Sequence, residues 1–251
     1  MKEPDEIRPL PELIELLQHE KQQLIALISH DLRSPFNRLH ALLQLLQTGK
    51  NALDEEQQMY LEKMQLVVAD ALAMMRNLMD YRSLELNLVT VQMQPVALRE
   101  LLLRVVKAHV QNAQRKSVKL VMHPIPGVVV QADPYCLARA LENLISNAIK
   151  FSFEGKKVSI DAGESENCVW IEVHDEGQGL KPDELLLAGR KFTKLSARPT
   201  GGESSTGLGL YIAQAMLTLT GGRLTVQSEP GKGSTFGMVF ENHPHKHHDV
   251  N

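Results

Sequence analysis

Cysteine is nearly absent: Cys136 and Cys168 are the two in 251 residues, far apart and without metal-ligand spacing. That excludes the disulfide framework of a small secreted domain and a zinc motif, and it reads as two thiols in a reducing compartment. Long apolar runs are also missing, none approaching the roughly 18 residues a membrane-spanning helix needs. The opening Met1-Lys2-Glu3-Pro4-Asp5-Glu6 is acidic and broken by proline, which is wrong for a signal peptide. The chain as given is expected to be soluble and cytoplasmic with no membrane segment of its own, an expectation that does not extend to a longer parent protein. A formal net charge of -3 supplies no global basic field, so nucleic acid is not an expected partner. With 43% hydrophobic and 23% charged residues the composition is that of a globular protein rather than a disordered one.

What is present divides into two textures. From Leu13 to about Leu46 apolar residues recur at three- and four-residue steps (Leu13, Leu16, Leu17, Leu24, Leu27, Ile28, then Leu39, Leu42, Leu43, Leu45, Leu46), the pattern of a long amphipathic helix. Thr48-Gly49-Lys50-Asn51 breaks it. Asp54 followed by Gln57 resembles a capping box opening a second helix, with a stripe from Leu61 through Met64, Val68 and Met75 to Leu78. Two long helices and a short loop make an antiparallel hairpin, whose wide apolar stripe calls for a partner, most simply a second copy forming a dimeric four-helix bundle. The methionines read as core filler.

Near residues 85–91 the texture changes to short β-rich runs alternating with helical stretches. The strands are expected at 118–121, 128–132, 158–162, 169–174, 224–228 and 236–240, and the helices at 98–115, 134–151 and 207–219. The fold class is therefore α+β: a helical hairpin at 12–88, followed at 89–242 by an α/β sandwich with one mixed sheet and helices on one face. His243, His245, His247 and His248 read as a solvated tail.

His30 stands in Ser29-His30-Asp31-Leu32-Arg33-Ser34-Pro35-Phe36. Pro35 inside a helical pattern removes one N–H and clashes with the carbonyl of Asp31, bending the helix beside His30. Ser34, four residues on, shares the face of His30. An imidazole with a carboxylate nearby is a usable nucleophile, because the carboxylate fixes its tautomer and accepts a proton. The string resembles the H box of two-component sensor histidine kinases. That resemblance implies that His30 is the phospho-acceptor, Asp31 the general base, and Ser34 the position that in relatives orients water for dephosphorylating a response regulator.

Four further strings follow in the order of that family. In Glu142-Asn143-Leu144-Ile145-Ser146-Asn147-Ala148-Ile149-Lys150-Phe151, helical steps of four and three place Asn143, Asn147 and Lys150 on one face. Two amides and an ammonium on a buried stripe need a polar occupant, such as magnesium with phosphate oxygens. The resemblance to the N box implies Asn147 as magnesium ligand, Asn143 and Lys150 on the phosphates, Phe151 beside the nucleotide and Glu142 organising the metal's water. Asp175-Glu176-Gly177-Gln178-Gly179 ends an apolar strand; its glycines admit close backbone approach, and the family implies that Asp175 accepts from the adenine amino group. Residues 181–206 form a polar stretch without clear period, expected as a mobile lid. There Phe192 resembles the F-box aromatic, and Lys194 or Arg198 is expected to neutralise the γ-phosphate. Thr206-Gly207-Leu208-Gly209 resembles the second glycine box opening a helix, whose N-terminus seats phosphate; Ser205 stands where the family usually has glycine.

The resemblance spans about residues 20–240 and implies ATP with magnesium as cofactors, a homodimer, and a response-regulator receiver domain as partner. The expected reaction is autophosphorylation on His30 and transfer to an aspartate, with a phosphatase activity as a further role. Two other readings stand beside it: a non-catalytic phosphotransfer scaffold, and a gyrase- or MutL-like ATPase that uses water.

Overall fold

The computed structural model describes residues 36, 37, 39–44, 46, 54–193, 195–201, 203 and 205–241. His30, Asp31, Ser34, Lys194 and the tail histidines lie outside them. The chain divides into two compact units, passing from one to the other between Leu88 and Val89.

In the first unit the described residues between 36 and 46 are helical (α1), and α2 runs Glu55–Glu85. Asp54 starts α2 as its sequence suggests: Asp54 Oδ1 accepts from Gln57 N at 2.7 Å and Gln57 Oε1 accepts from Asp54 N at 3.3 Å, satisfying helix-end donors that otherwise lack partners. The helix stops where Asn87 turns to φ 51, a conformation asparagine tolerates better than most residues. Leu43, Leu61 and Val68 form the buried cluster between the helices, with Phe36 and Leu72 packed on it.

The second unit holds β1 (Gln94–Ala97), α3 (Leu98–Arg115), β2 (Lys119–Met122), β3 (Val129–Ala132), α4 (Pro134–Phe151), β4 (Lys157–Glu164), β5 (Cys168–Asp175), the short α5 (Pro182–Leu185), α6 (Gly209–Leu219), β6 (Gly222–Glu229) and β7 (Gly233–Glu241). Five strands order as β2-β4-β5-β7-β6, parallel between β2 and β4 and antiparallel elsewhere, so the sheet is mixed. Side chains alternate along β5, with Val169, Ile171 and Val173 buried and Trp170, Glu172 and His174 half-buried on the other face. The buried face meets α4 and α6 through Leu137, Leu141, Leu144, Ile145, Ile212 and Met216.

Two features differ from the sequence reading. A second sheet exists: β1 pairs antiparallel with β3, Pro95 opposite Gln131. Four residues including a proline carry too little alternation to read as a strand. The last helix begins at Gly209 rather than Gly207, because Gly207 takes φ 71 and belongs to the preceding turn. α4 is set by Asp133, whose Oδ1 accepts from Tyr135 N and Cys136 N, both at 2.9 Å, while Oδ2 accepts from Gln92 N at 2.7 Å. Burial pushes this carboxyl's pKa up, but the donated N–H groups of Cys136, Gln92 and Tyr135 outweigh that and hold it below the usual carboxylate value. Pro134 follows at the first helical position, where its missing N–H costs nothing.

Candidate functional site

The site is built along α4. Asn143 is buried, and its Nδ2 donates to Arg139 O at 2.9 Å, which aims the carboxamide oxygen outward from its own helix. That oxygen meets the start of α6: a Cβ added to Gly209 would sit 3.3 Å from Asn143 Oδ1 and 3.3 Å from Asn147 Nδ2. Glycine there leaves a cradle between two amides and a helix N-terminus. α6 opens with no side-chain cap, so the positive end of its dipole and its first N–H groups face this cradle. Thr206 shapes the approach by accepting from Leu208 N at 3.3 Å. Gly207 packs on the backbone of Phe192 and Thr193, closer than any side chain would allow. Phe192 itself is half exposed at φ 56, and Lys191 places its ammonium 5.2 Å from the Tyr211 ring.

Eight residues further along α4, about 12 Å at 1.5 Å per residue, lies the second half of the site. Ser152 bridges to Gly177, and a Cβ on Gly177 would fall 2.5 Å from Phe151 O, so the turn after β5 must carry glycine to close on the end of α4. Asp175 is buried behind that turn. Its Oδ1 accepts from Gly177 N at 2.9 Å and Ser234 N at 3.3 Å, which leaves Oδ2 to meet a ligand. Burial raises the Asp175 pKa to about 6, partly offset by those two N–H donors and by His174. Gly179 backs onto Glu229 O at the end of β6.

Asn143, Asn147 and Gly209 are thus brought together, as are Phe192 and Gly207, and Phe151, Asp175 and Gly177. Glu142 is paired within α4. It accepts from Arg139 Nη1 at 2.6 Å and acts electrostatically on His109 of α3. Burial lowers the His109 pKa, Glu142 opposes that and Arg139 adds to it. Lys150 enters through its carbonyl, which accepts from Thr200 N at 3.2 Å. Arg198 is held by its backbone rather than its guanidinium. Sequence reasoning passed over Ser234, Gln178, Lys116 and Glu203, whose roles arise from contacts distant in the chain.

The donor set suits magnesium held on a nucleotide. Among the described residues no group of three or more His, Cys, Asp or Glu could hold a metal. The amide oxygen at the Gly209 cradle is a hard, neutral ligand, the kind that serves magnesium when phosphates supply the remaining oxygens.

Residues 132–244 match the family "Histidine kinase-, DNA gyrase B-, and HSP90-like ATPase", and residues 20–87 match "His Kinase A (phospho-acceptor) domain". The chain is 32% identical over 232 residues to the sensor protein GacS of Pseudomonas syringae pv. syringae, covering 88% of this chain and 25% of GacS. It is 26% identical over 224 residues to the heme sensor protein HssS of Staphylococcus saprophyticus, covering 89% of this chain and 47% of HssS. The chain therefore spans between a quarter and about half the length of these two relatives. Among solved structures, full-length ShkA in complex with AMPPNP aligns with a TM-score of 0.63 at 26% identity, over 87% of this chain and 45% of that one. The Acinetobacter baumannii histidine kinase AdeS shares the fold, with a TM-score of 0.56 at 21% identity over 84% and 97%. No helix among the described residues is long and apolar enough to cross a membrane.

Proposed function

The chain belongs to the sensor histidine kinases, and from that membership we propose that it transfers the γ-phosphoryl group of ATP to His30 and then to an aspartate of a response-regulator receiver domain. The observation that carries the reading is the meeting of Asn143 and Asn147 with the uncapped start of α6 at Gly209, about 12 Å along α4 from the turn that holds the buried Asp175. One end accepts phosphate; the other selects a base by accepting from its amino group. The AMPPNP held by ShkA supports ATP as the ligand class.

In the proposed step a ring nitrogen of His30 attacks the γ-phosphorus. The bond to the β,γ-bridging oxygen breaks, and ADP leaves with that electron pair. Asp31 holds the imidazole tautomer and accepts the proton of the other nitrogen as positive charge develops. Asn147, with Glu142 acting through water, would hold magnesium, which supplies charge neutralisation on the phosphates when bound. Asn143 and Lys150 act on the phosphate side, Lys194 or the side chain of Arg198 neutralises the γ-phosphate, Thr206, Gly207, Leu208 and Gly209 form the phosphate seat, Phe151 and Phe192 flank the nucleotide, and Gly177 with Gly179 shapes the base pocket. Ser34 is the proposed water-orienting position for dephosphorylating the regulator. The domains proposed for these tasks are residues 12–88 and 89–242. Homodimerisation through the helical hairpin is part of the proposal, supported by the exposed Met59, Met64, Leu66 and Val67 on α2. A cytoplasmic site of action is proposed with it. No observation favours a non-catalytic scaffold.

The test is incubation with γ-labelled ATP and magnesium, comparing wild type with His30→Gln. Label on the wild type alone, stable to base and lost in acid, is the expected result. Equal labelling of both proteins would refute His30 as the acceptor.

A further inference from the structure

The segment after Ser196, aperiodic in sequence, is tied down in the structure at residues far from it in the chain. Gln178, between the two glycines of the Asp175 turn, clasps the backbone of Arg198 with both ends of its amide. Nε2 donates to Arg198 O at 2.8 Å, and Oε1 accepts from Arg198 N at 3.1 Å. Two residues on, Thr200 N donates to Lys150 O at 3.2 Å and its hydroxyl donates to Ser152 O. Glu203 then accepts from Lys116 Nζ at 2.9 Å, and the same ammonium donates to Lys150 O. Lys116 is the C-cap of α3 and belongs to none of the nucleotide motifs. Its side chain is only 13% exposed, so the ammonium depends on these two acceptors in place of water.

Residues 198–201 and 203 therefore belong to a strap fastened on one side to the Asp175 turn and on the other to the end of α4. It crosses the seam where Ser152 bridges to Gly177. Gln178 and Thr200 hold it with neutral hydrogen bonds, whereas Lys116 with Glu203 supplies a charged tie in a site that screens it little. We propose that Lys116 is a positioning residue for the nucleotide: through Glu203 and Lys150 O it fixes the strap over the base end of the site and so slows nucleotide exchange. The inference rests on the nucleotide-site reading above. It assigns the strap a fixed role, so that lid movement is confined to residues before Arg198.

The experiment uses the full chain with magnesium and a fluorescent ATP analogue, measuring dissociation rate by chase with unlabelled ATP, together with kinase KM and kcat. Lys116→Met is expected to raise the dissociation rate and KM about tenfold, the size of one lost charge-assisted bond, with a much smaller change in kcat. Lys116→Arg, which keeps the charge, is expected to recover most of the loss. Glu203→Gln, nearly isosteric, should shift the same parameters in the same direction. Combining it with Lys116→Met should add little, because the two act as one tie. If Lys116→Met does not fold, Glu203→Gln decides alone. Unchanged dissociation and KM in natively folded variants, a fall confined to kcat, or additive effects would overturn the inference. Absence of nucleotide binding by the wild type would overturn the nucleotide-site reading and the strap's role together, whereas binding with indifferent variants overturns the strap's role only.

Discussion

Replacing Asp175 with asparagine separates what this carboxylate costs from what it does. Burial raises its pKa to about 6 from an ordinary value of 3.8. A pKa displaced that far corresponds to about 3 kcal/mol that the folded state forgoes to keep the group ionised at pH 8. A raised folded pKa means this contribution is fully favourable below pH 3.8 and is lost as pH rises through 6. Asp175→Asn removes the ionisation cost and keeps an oxygen for Gly177 N and Ser234 N, although an amide accepts from them less strongly, by about 1 kcal/mol. The variant should therefore be more stable than wild type at pH 8 by about 1–2 kcal/mol, an increase of a few degrees in Tm. The advantage should shrink steadily between pH 7 and pH 4. Function should move the other way. With the oxygen committed inward, the outward atom becomes an N–H donor facing the adenine amino group, so ATP affinity should fall at least about tenfold, while ITP, with a 6-oxo acceptor, should lose far less. Wild-type affinity for ATP should be level well above pH 6 and decline as pH falls through it and the carboxylate protonates. Thermal unfolding at pH 8 and pH 5, with ATP and ITP titrations, checks all of this. A variant less stable than wild type by the same amount at both pH values, or one that binds ATP unimpaired, would refute the reasoning.

Other outcomes follow from the same contacts. Asp133→Ala removes the acceptor of two backbone N–H groups at the start of α4 and of Gln92 N, and should cost about 1–2 kcal/mol at pH 7. Because the folded pKa is depressed, that stability exists above the unfolded pKa and is lost in acid, so the deficit measured by denaturant unfolding should shrink towards pH 3; a constant deficit would mean the cap is not the cause. Gly177→Ala forces a Cβ to within 2.5 Å of Phe151 O and should destabilise the second unit by roughly 2 kcal/mol or more while weakening nucleotide binding; a neutral effect on both would show that the turn can shift freely. His30→Ala should abolish self-phosphorylation and leave ATP titration unchanged, whereas Asn147→Ala should impair both; ATP binding lost in the first variant would contradict that division.

Elements whose signal is local were readable in advance. Asp54 with Gln57 marks a helix start within three residues, and strand alternation places β4, β5 and β7 without knowledge of their neighbours. β1 escaped because Pro95 breaks a four-residue run whose identity as a strand depends on pairing with β3. What escaped in the expected lid is its order, for a related reason. Gln178 and Arg198 are 20 residues apart, and Lys116 and Glu203 are 87 apart, so no periodicity within residues 181–206 records their contact. Glu184 makes the same point. It lies buried in a stretch that reads as polar loop, accepting from Lys181 N, Ser196 N and Ser196 Oγ. Burial pushes its pKa up, but donation from Ser196 and Lys181 prevails and holds it low. A buried carboxylate that collects its donors from the surrounding loop leaves a sequence that is polar throughout, and polarity alone does not separate an ordered loop from a mobile one.

The same distinction between committed and uncommitted side chains separates the two units. On α2, Val68 is 2% exposed and its neighbour Val67 is 68% exposed. Adjacent helical residues point about 100° apart, so α2 carries apolar side chains beyond the stripe that packs on Leu43. Met59, Met64 and Leu66 extend that second surface, and Leu39, Leu42 and Leu46 do the same on α1. The second unit also leaves large apolar side chains exposed, Leu186, Tyr135 and Val129 among them, but it buries Leu98, Leu102, Leu137, Leu141, Leu144, Ile145, Ile160 and Ile171 fully between helices and sheet. Hydrophobic burial is worth about 25 cal/mol per Å², so an amphipathic hairpin exposing this many large side chains gains more from a partner than from any rearrangement of its own two helices. The second unit thus has a large core of its own within one chain, whereas the first, which matches the phospho-acceptor domain family, is the one the proposed homodimer would cover.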